Sequence, residues 1–182
     1  VLLNIGRTQL RLGRTQEALE YLDRATQKAP KFAAAWLATV DGLLQDHRGD
    51  EALEATTVLL GLENSAIAHD AHGRALAAVG QLQEARTAFE RARGLAANPA
   101  DVLNNLAALE RIDGNPLEAK SLLEQALSFD PNRVEYWNNL GLAELDDDDV
   151  LEAMACFEHG LGIDPHHAPI RLNLALLQWQ IG

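Results

Sequence analysis

Cysteine is almost missing from this chain of 182 residues. Cys156 stands alone, which excludes an internal disulfide and a cysteine-built metal cluster. Cations are short as well: 15 Lys and Arg face 27 Asp and Glu, a net charge of −12, with no basic stripe, so nucleic acid and anionic membranes are disfavoured as main partners. No apolar run is long enough to cross a bilayer, and no signal peptide is recognisable. Chemical motifs are lacking too. There is no glycine-rich phosphate loop and no G-x-S-x-G elbow, and Cys156 falls within a helical pattern without an evident base, so the chain reads as non-enzymatic and without a cofactor. Val1 opens the sequence without a methionine, which reads as a segment of a longer protein and leaves its compartment open between cytoplasm and periplasm.

What is present is helical material. Alanine, leucine, glutamate and arginine dominate, β-branched residues are sparse, and the six prolines fall mainly where helices would begin or end. With 47% hydrophobic residues the chain can bury a substantial core as one domain. It also repeats itself. "GRTQEALEYLDRATQKAP", "GQLQEARTAFERARGLAA", "GNPLEAKSLLEQALSFDP" and "DVLEAMACFEHGLGIDP" follow one template, and Gly80 and Gly114, Ala85, Ala119 and Ala153, and Pro131 and Pro165 keep a 34-residue period.

The stretch "WNNLG" with Ala153, Phe157 and Pro165 resembles the tetratricopeptide repeat pattern W-x2-L-G-x2-Y, A-x3-F, P, although Glu144 stands where the pattern has tyrosine. In that frame the units run 1–32, 33–65, 66–99, 100–133, 134–167 and a half unit 168–182. The resemblance implies an all-α fold: about 5.5 helix-turn-helix repeats and eleven helices in a right-handed superhelical solenoid, forming one domain over 1–182. Gly13, Gly80 and Gly114 are expected to turn the chain within repeats. The second unit is one residue short, has Thr56 in the phenylalanine place and ends without proline, so its second helix is expected to be distorted.

At about 100° per residue, the fourth, eighth and eleventh places of a first helix (Trp137, Gly141, Glu144) fall on one packing seam, with Trp36, Phe89, Trp137 and Phe157 buried between helices. Asn4, Asn105, Asn139 and Asn173 all take the sixth place, opposite the seam. In the family that face lines a concave groove. The resemblance therefore implies a peptide-binding groove with Asn4, Arg7, Arg11, Arg74, Asp101, Asn105, Glu135, Asn139 and Asn173 as candidate site residues, the asparagines forming a ladder able to donate to and accept from a peptide backbone. The competing reading is that these asparagines only space neighbouring helices. The row has a gap, since Ala38 and Ala71 take the sixth place in the second and third units. The carboxylate clamp of chaperone-binding relatives is not matched, because Lys28, Lys31 and Lys120 all fall outside first helices.

Charge is uneven along the chain. Residues 1–31 carry six basic and three acidic residues, net +3; residues 134–182 carry Arg171 against nine acidic residues, net −8. "DDDD", Asp146 to Asp149, takes the place of a turn glycine. It reads as a solvated loop or a landing place for a basic partner, and it lacks the alternating ligand spacing of a calcium loop. His69 and His72 sit three apart in seam places and read as packed histidines rather than a metal pair; His166 and His167 read as surface residues. Three functions emerge: a module binding an extended segment of a partner protein, a substrate-recognition arm of a larger enzyme such as the O-linked N-acetylglucosamine transferases that the repeats resemble, and a self-assembling scaffold. For the last, Leu174, Leu177 and Trp179 are expected to form an apolar edge with no helix after Gly182 to cover it.

Overall fold

The computed structural model describes residues 1–181, with the backbone alone for Gln180 and Ile181, so the expectation about the chain past Gly182 lies outside the described residues. Among the described residues there are eleven α-helices and no strand. They fall into two compact units, Val1–Ala96 and Ala97–Gly182. The first holds α1 (Leu2–Arg11), α2 (Thr15–Lys28), α3 (Ala33–Gln45), α4 (Gly49–Leu62), α5 (Ala66–Ala78) and α6 (Leu82–Leu95). The second holds α7 (Ala100–Ile112), α8 (Pro116–Phe129), α9 (Val134–Asp146), α10 (Val150–Ile163) and α11 (Ala168–Ile181). Odd-numbered helices are the first helices of the repeats; even-numbered ones are the second.

Each repeat folds back on itself through the same backbone device. The second residue after the first helix takes a left-handed conformation: Gly13 at φ 72°, Gly80 at 79°, Gly114 at 80°, but His47 at 59° and Asp148 at 61°. In every case the next amide reaches back to the helix, as Arg14 N–H does to Gln9 O (2.9 Å) and Asp149 N–H to Glu144 O (2.9 Å), the bond that closes a Schellman turn. A side chain at such φ is disfavoured by about 1–2 kcal/mol, partly offset by glycine's greater freedom in the unfolded chain. His47→Gly and Asp148→Gly should therefore each raise stability by roughly 0.5–1 kcal/mol in chemical denaturation, whereas Gly80→Ala should lower it by a similar amount.

A pair of buried residues sixteen apart sets the spacing between the two helices of a repeat. Phe89 and Phe157 are 2% and 0% exposed, and a Cβ built on Gly73 or Gly141 would stand 2.6 or 2.5 Å from the facing ring. Leu22 takes the phenylalanine place against Gly6, at 2.7 Å from such a Cβ. The pair becomes Ala107 with Leu123 in the fourth repeat and Val40 with Thr56 in the second, all of them buried. A small first member goes with a large second one, and a larger first with a smaller second, so close packing is kept.

That compensation overturns the expected distortion of α4, which is a regular helix of 14 residues. Thr56 is fully buried there, its hydroxyl shared between Leu53 O (2.7 Å) and His72 Nδ1 (2.9 Å). In the missing proline's stead Ser65 caps α5, accepting from Ala68 N–H at 3.1 Å. The seam is also wider than the fourth, eighth and eleventh places. In α9 the third, seventh and tenth places, Tyr136, Leu140 and Ala143, are buried together with Gly141. Trp36 and Trp137 are half-buried rather than enclosed. Each indole N–H instead donates 2.8 Å to the proline carbonyl six residues earlier, Pro30 or Pro131, and ties down the loop that enters its repeat.

Candidate functional site

In the second unit the face carried by α7, α9 and α11 is organised by amides. Asn104, Asn105, Asn138, Asn139 and Asn173 are all half-buried, not fully outward. Asn173 donates to Asn138 Oδ1 (2.9 Å), Asn138 to Asn139 Oδ1 (3.3 Å), and Asn139 to Asn104 Oδ1 (2.7 Å). The row is thus a relay in which the sixth place of one repeat bonds the fifth place of the repeat before it. Sequence reasoning missed the fifth-place partners, Asn104 and Asn138, although the doubled "NN" in both repeats was a visible signal. The buried Ala38 and Ala71, 1% and 0% exposed, show why the row does not run on through the second and third repeats, where the sixth place is core, although Asn4 in the first repeat is exposed.

The same stagger recurs beside the relay. Tyr136 donates its hydroxyl to Asp101 Oδ1 at 2.8 Å, and Arg111 reaches Asp146 at 2.6 Å; like the amide pairs, these partners are 35 apart in sequence. Burial first, and then the Asp101 carboxylate, push the Tyr136 phenol well above its usual range. Asp101 and Glu135 are exposed, but both also meet Arg133, at 3.5 and 2.9 Å, so neither is an uncommitted groove carboxylate.

The acidic run is exposed, as its reading as a solvated loop expects, and its charges are partly answered from within the repeats. Asp146 pairs with Arg111, and Asp147 with Lys120 at 2.6 Å. Asp148 makes the turn, and Asp149 caps α10 by accepting from Glu152 N–H at 3.1 Å. Lys120 also meets Glu144 at 3.1 Å, and its hydrogen bonds to Asp147 and Glu144 push its ammonium up to about 12. Cys156 is buried, and desolvation, followed by Glu144 and Glu152, pushes its thiol up to about 11, which suits an inert core residue.

In the first unit the candidate arginines part company. Arg74, in the ninth place of α5, is clasped by Asp41 (2.9 Å) and Asp70 (3.1 Å) and is not a free groove cation. Arg7 and Arg11 on α1 are exposed and hold no ion pair among the described residues; Asn4, one turn before, is exposed too. With Leu10, Ala38, Asp41 and Gln45 the two arginines line a cleft of about 350 Å³.

His69 and His72 are packed and hydrogen-bonded, His69 Nε2 to Asn64 Oδ1 at 2.7 Å and His72 to Thr56. Both titrate below the usual histidine range: burial is the main cause for each, followed by Arg91 for His69 and by His69 for His72. The unfolded chain thus binds protons that the folded one refuses, so this contribution is complete above the ordinary histidine pKa of about 6.5 and is lost as pH falls below it. Urea midpoints should drop between pH 7.5 and 5.5, and less so when both residues are replaced by glutamine.

Helix-turn-helix units of 33 or 34 residues, each closed by a left-handed turn and a paired seam, decide the family. A family model for the tetratricopeptide repeat matches residues 3–65 and 111–168, well over half of the sequence. The chain belongs to the tetratricopeptide repeat family. Its fold is similar to that of TTC0263, a thermophilic tetratricopeptide repeat protein of Thermus thermophilus, at 20% identity and a TM-score of 0.92 over 98% of this chain and 97% of that one. It is also similar to PilW, a type IV pilus biogenesis factor (17% identity, TM-score 0.83, 99% and 82% covered), and to YrrB, a protein with an unusual peptide-binding site (17%, 0.63, 94% and 89%). No curated protein matches the chain by sequence. As a tetratricopeptide repeat protein it is a protein–protein interaction module, of a kind that is typically non-enzymatic. No helix among the described residues is long and apolar enough to cross a membrane.

Proposed function

We propose that the first-helix faces bind an extended segment of a partner protein, and that in the second unit the amide relay takes up the segment's backbone. The observation that carries this is the half-buried row of Asn104, Asn138, Asn139 and Asn173. A primary amide has two N–H donors and two acceptor lone pairs, and the relay engages only part of that capacity. An extended chain presents N–H and C=O groups whatever its side chains, so such a row suits binding with little sequence selection. The peptide-binding site of the structurally similar YrrB supports the reading. Titrating the protein with peptides selected from a random library should shift the side-chain amide NMR signals of these four asparagines. Selected peptides that bind and leave all four signals unmoved would overturn the reading. Whether such a module also serves as the recognition arm of a larger enzyme is answered by the gene that encodes it.

Self-association is the second reading, and α11 favours it. Leu177 is buried against the Ala153, Phe157 and Ile170 cluster, and Leu174 packs beside it, which corrects their placement on an open edge. The exposed stripe is instead Leu172, Leu176 and Trp179, at 61%, 53% and 82%. If two copies meet there, sedimentation should show a concentration-dependent dimer that Trp179→Glu abolishes.

A further inference from the structure

The cleft on α1 and α3 brings together two arginines without an ion pair among the described residues, whereas Arg171 on α11, also exposed and without one, stands alone. Carboxylates outnumber Lys and Arg by 27 to 15 over the chain and supply partners to some first-helix arginines, although residues 1–31 themselves carry six basic against three acidic residues. Arg74 and Arg111, on the corresponding faces of α5 and α7, have each taken one or two. Arg7 and Arg11 have not, and both are exposed over a floor of Leu10 and Ala38. Asp41, the one carboxylate lining the cleft, has its charge answered by Arg74. The cleft is therefore a place of net positive charge in an acidic protein.

We propose that this cleft recognises an acidic partner segment through two carboxylates in alternate positions, a Glu-x-Glu or Asp-x-Asp sequence lying extended along α1. This rests on the reading that first-helix faces bind extended segments and adds the chemistry of the partner. The spacing comes from two periods. Arg7 and Arg11 are four residues apart on a helix, a rise of about 6 Å on one face. In an extended chain, side chains on one face recur every second residue, about 6.6 Å apart. Adjacent acidic residues point to opposite faces and can offer only one carboxylate to the pair. Guanidinium groups hold carboxylates by charge-assisted, often bidentate hydrogen bonds, and the Gln45 amide at the cleft rim can add a donor.

The test uses fluorescein-labelled Gly-Ala-Glu-Ala-Glu-Ala-Gly, the same peptide with both Glu replaced by Gln, and one with the two Glu adjacent, read by fluorescence anisotropy at low and raised salt. The alternating peptide should bind at least about tenfold more tightly than either comparator, with the advantage shrinking as salt rises. Arg7→Ala with Arg11→Ala should remove that advantage and leave the melting temperature unchanged, because both side chains are exposed. Equal binding of the Glu and Gln peptides, or a preference that survives the double arginine variant, overturns the acidic-segment inference while leaving the groove reading standing. No binding of any of the three peptides also overturns it, and the groove reading is then judged by the asparagine signals alone.

Discussion

Phe157→Ala should lower the unfolding free energy by about 3–5 kcal/mol, because it empties a fully enclosed site facing a glycine that has no side chain to move into the space. The more telling experiment changes both members of the pair. Gly141→Ala alone forces a methyl to within 2.5 Å of the Phe157 ring, an overpacking that should cost about 1–3 kcal/mol. Phe157→Leu alone leaves a cavity with a penalty of similar order, roughly 1–3 kcal/mol. Combining them recreates the Ala107 and Leu123 pair that the fourth repeat already uses. The double variant should therefore be more stable than the sum of the single changes predicts by at least about 1 kcal/mol in urea denaturation. Strict additivity would show that the pair does not set the distance between its helices.

Replacing Asn105, Asn139 and Asn173 together by alanine should weaken peptide binding by roughly ten- to a thousandfold, at about 0.5–1.5 kcal/mol for each exchanged hydrogen bond. The relay adds a second effect. Asn139 and Asn173 each donate across a joint between repeats, so alanine there also leaves Asn104 and Asn138 without those bonds. Stability should fall by about 1–3 kcal/mol in total. Scaffold and binding surface are therefore expected to fail together, and a selective variant is needed to separate them. Asn104→Asp keeps the acceptor that Asn139 uses while removing a donor, so it should hold the melting temperature and still reduce affinity. A variant that melts early and binds as before would leave the row a helix connector only.

How much of this was legible beforehand depended on whether a feature is set within one helix pair or between repeats. The helices, their left-handed turns and the Phe-with-Gly seams are readable from the 34-residue template, since all of them lie inside one repeat. The Thr56 and Val40 pair could have been read by the same sixteen-residue spacing, and it would have removed the expectation of a distorted α4. Contacts between repeats were hidden. Counting 100° per residue places the sixth residue opposite the seam of its own helix, but it carries no information about the stagger of the next one. That stagger half-buries Asn139 and brings it to Asn104, and a comparable cross-repeat reach carries Arg74 to Asp41. The partners of the aspartate run were hidden for the same reason: Arg111 and Lys120, which pair with Asp146 and Asp147, belong to the preceding repeat.

The offset of 35 in a chain that repeats every 34 gives the asparagine dipeptide a property that neither residue has alone. One member accepts from the next repeat along the chain, and the other donates to the repeat before. A single copy of "NN" is thus a complete connector with both a plug and a socket, and duplicating the stretch of gene that encodes such a repeat would lengthen the row without any further mutation. The sixth repeat breaks this grammar. Asn173 keeps the donor, but Leu172 stands where the acceptor would be, so the amide row stops at α11 through its own sequence, whatever lies beyond it.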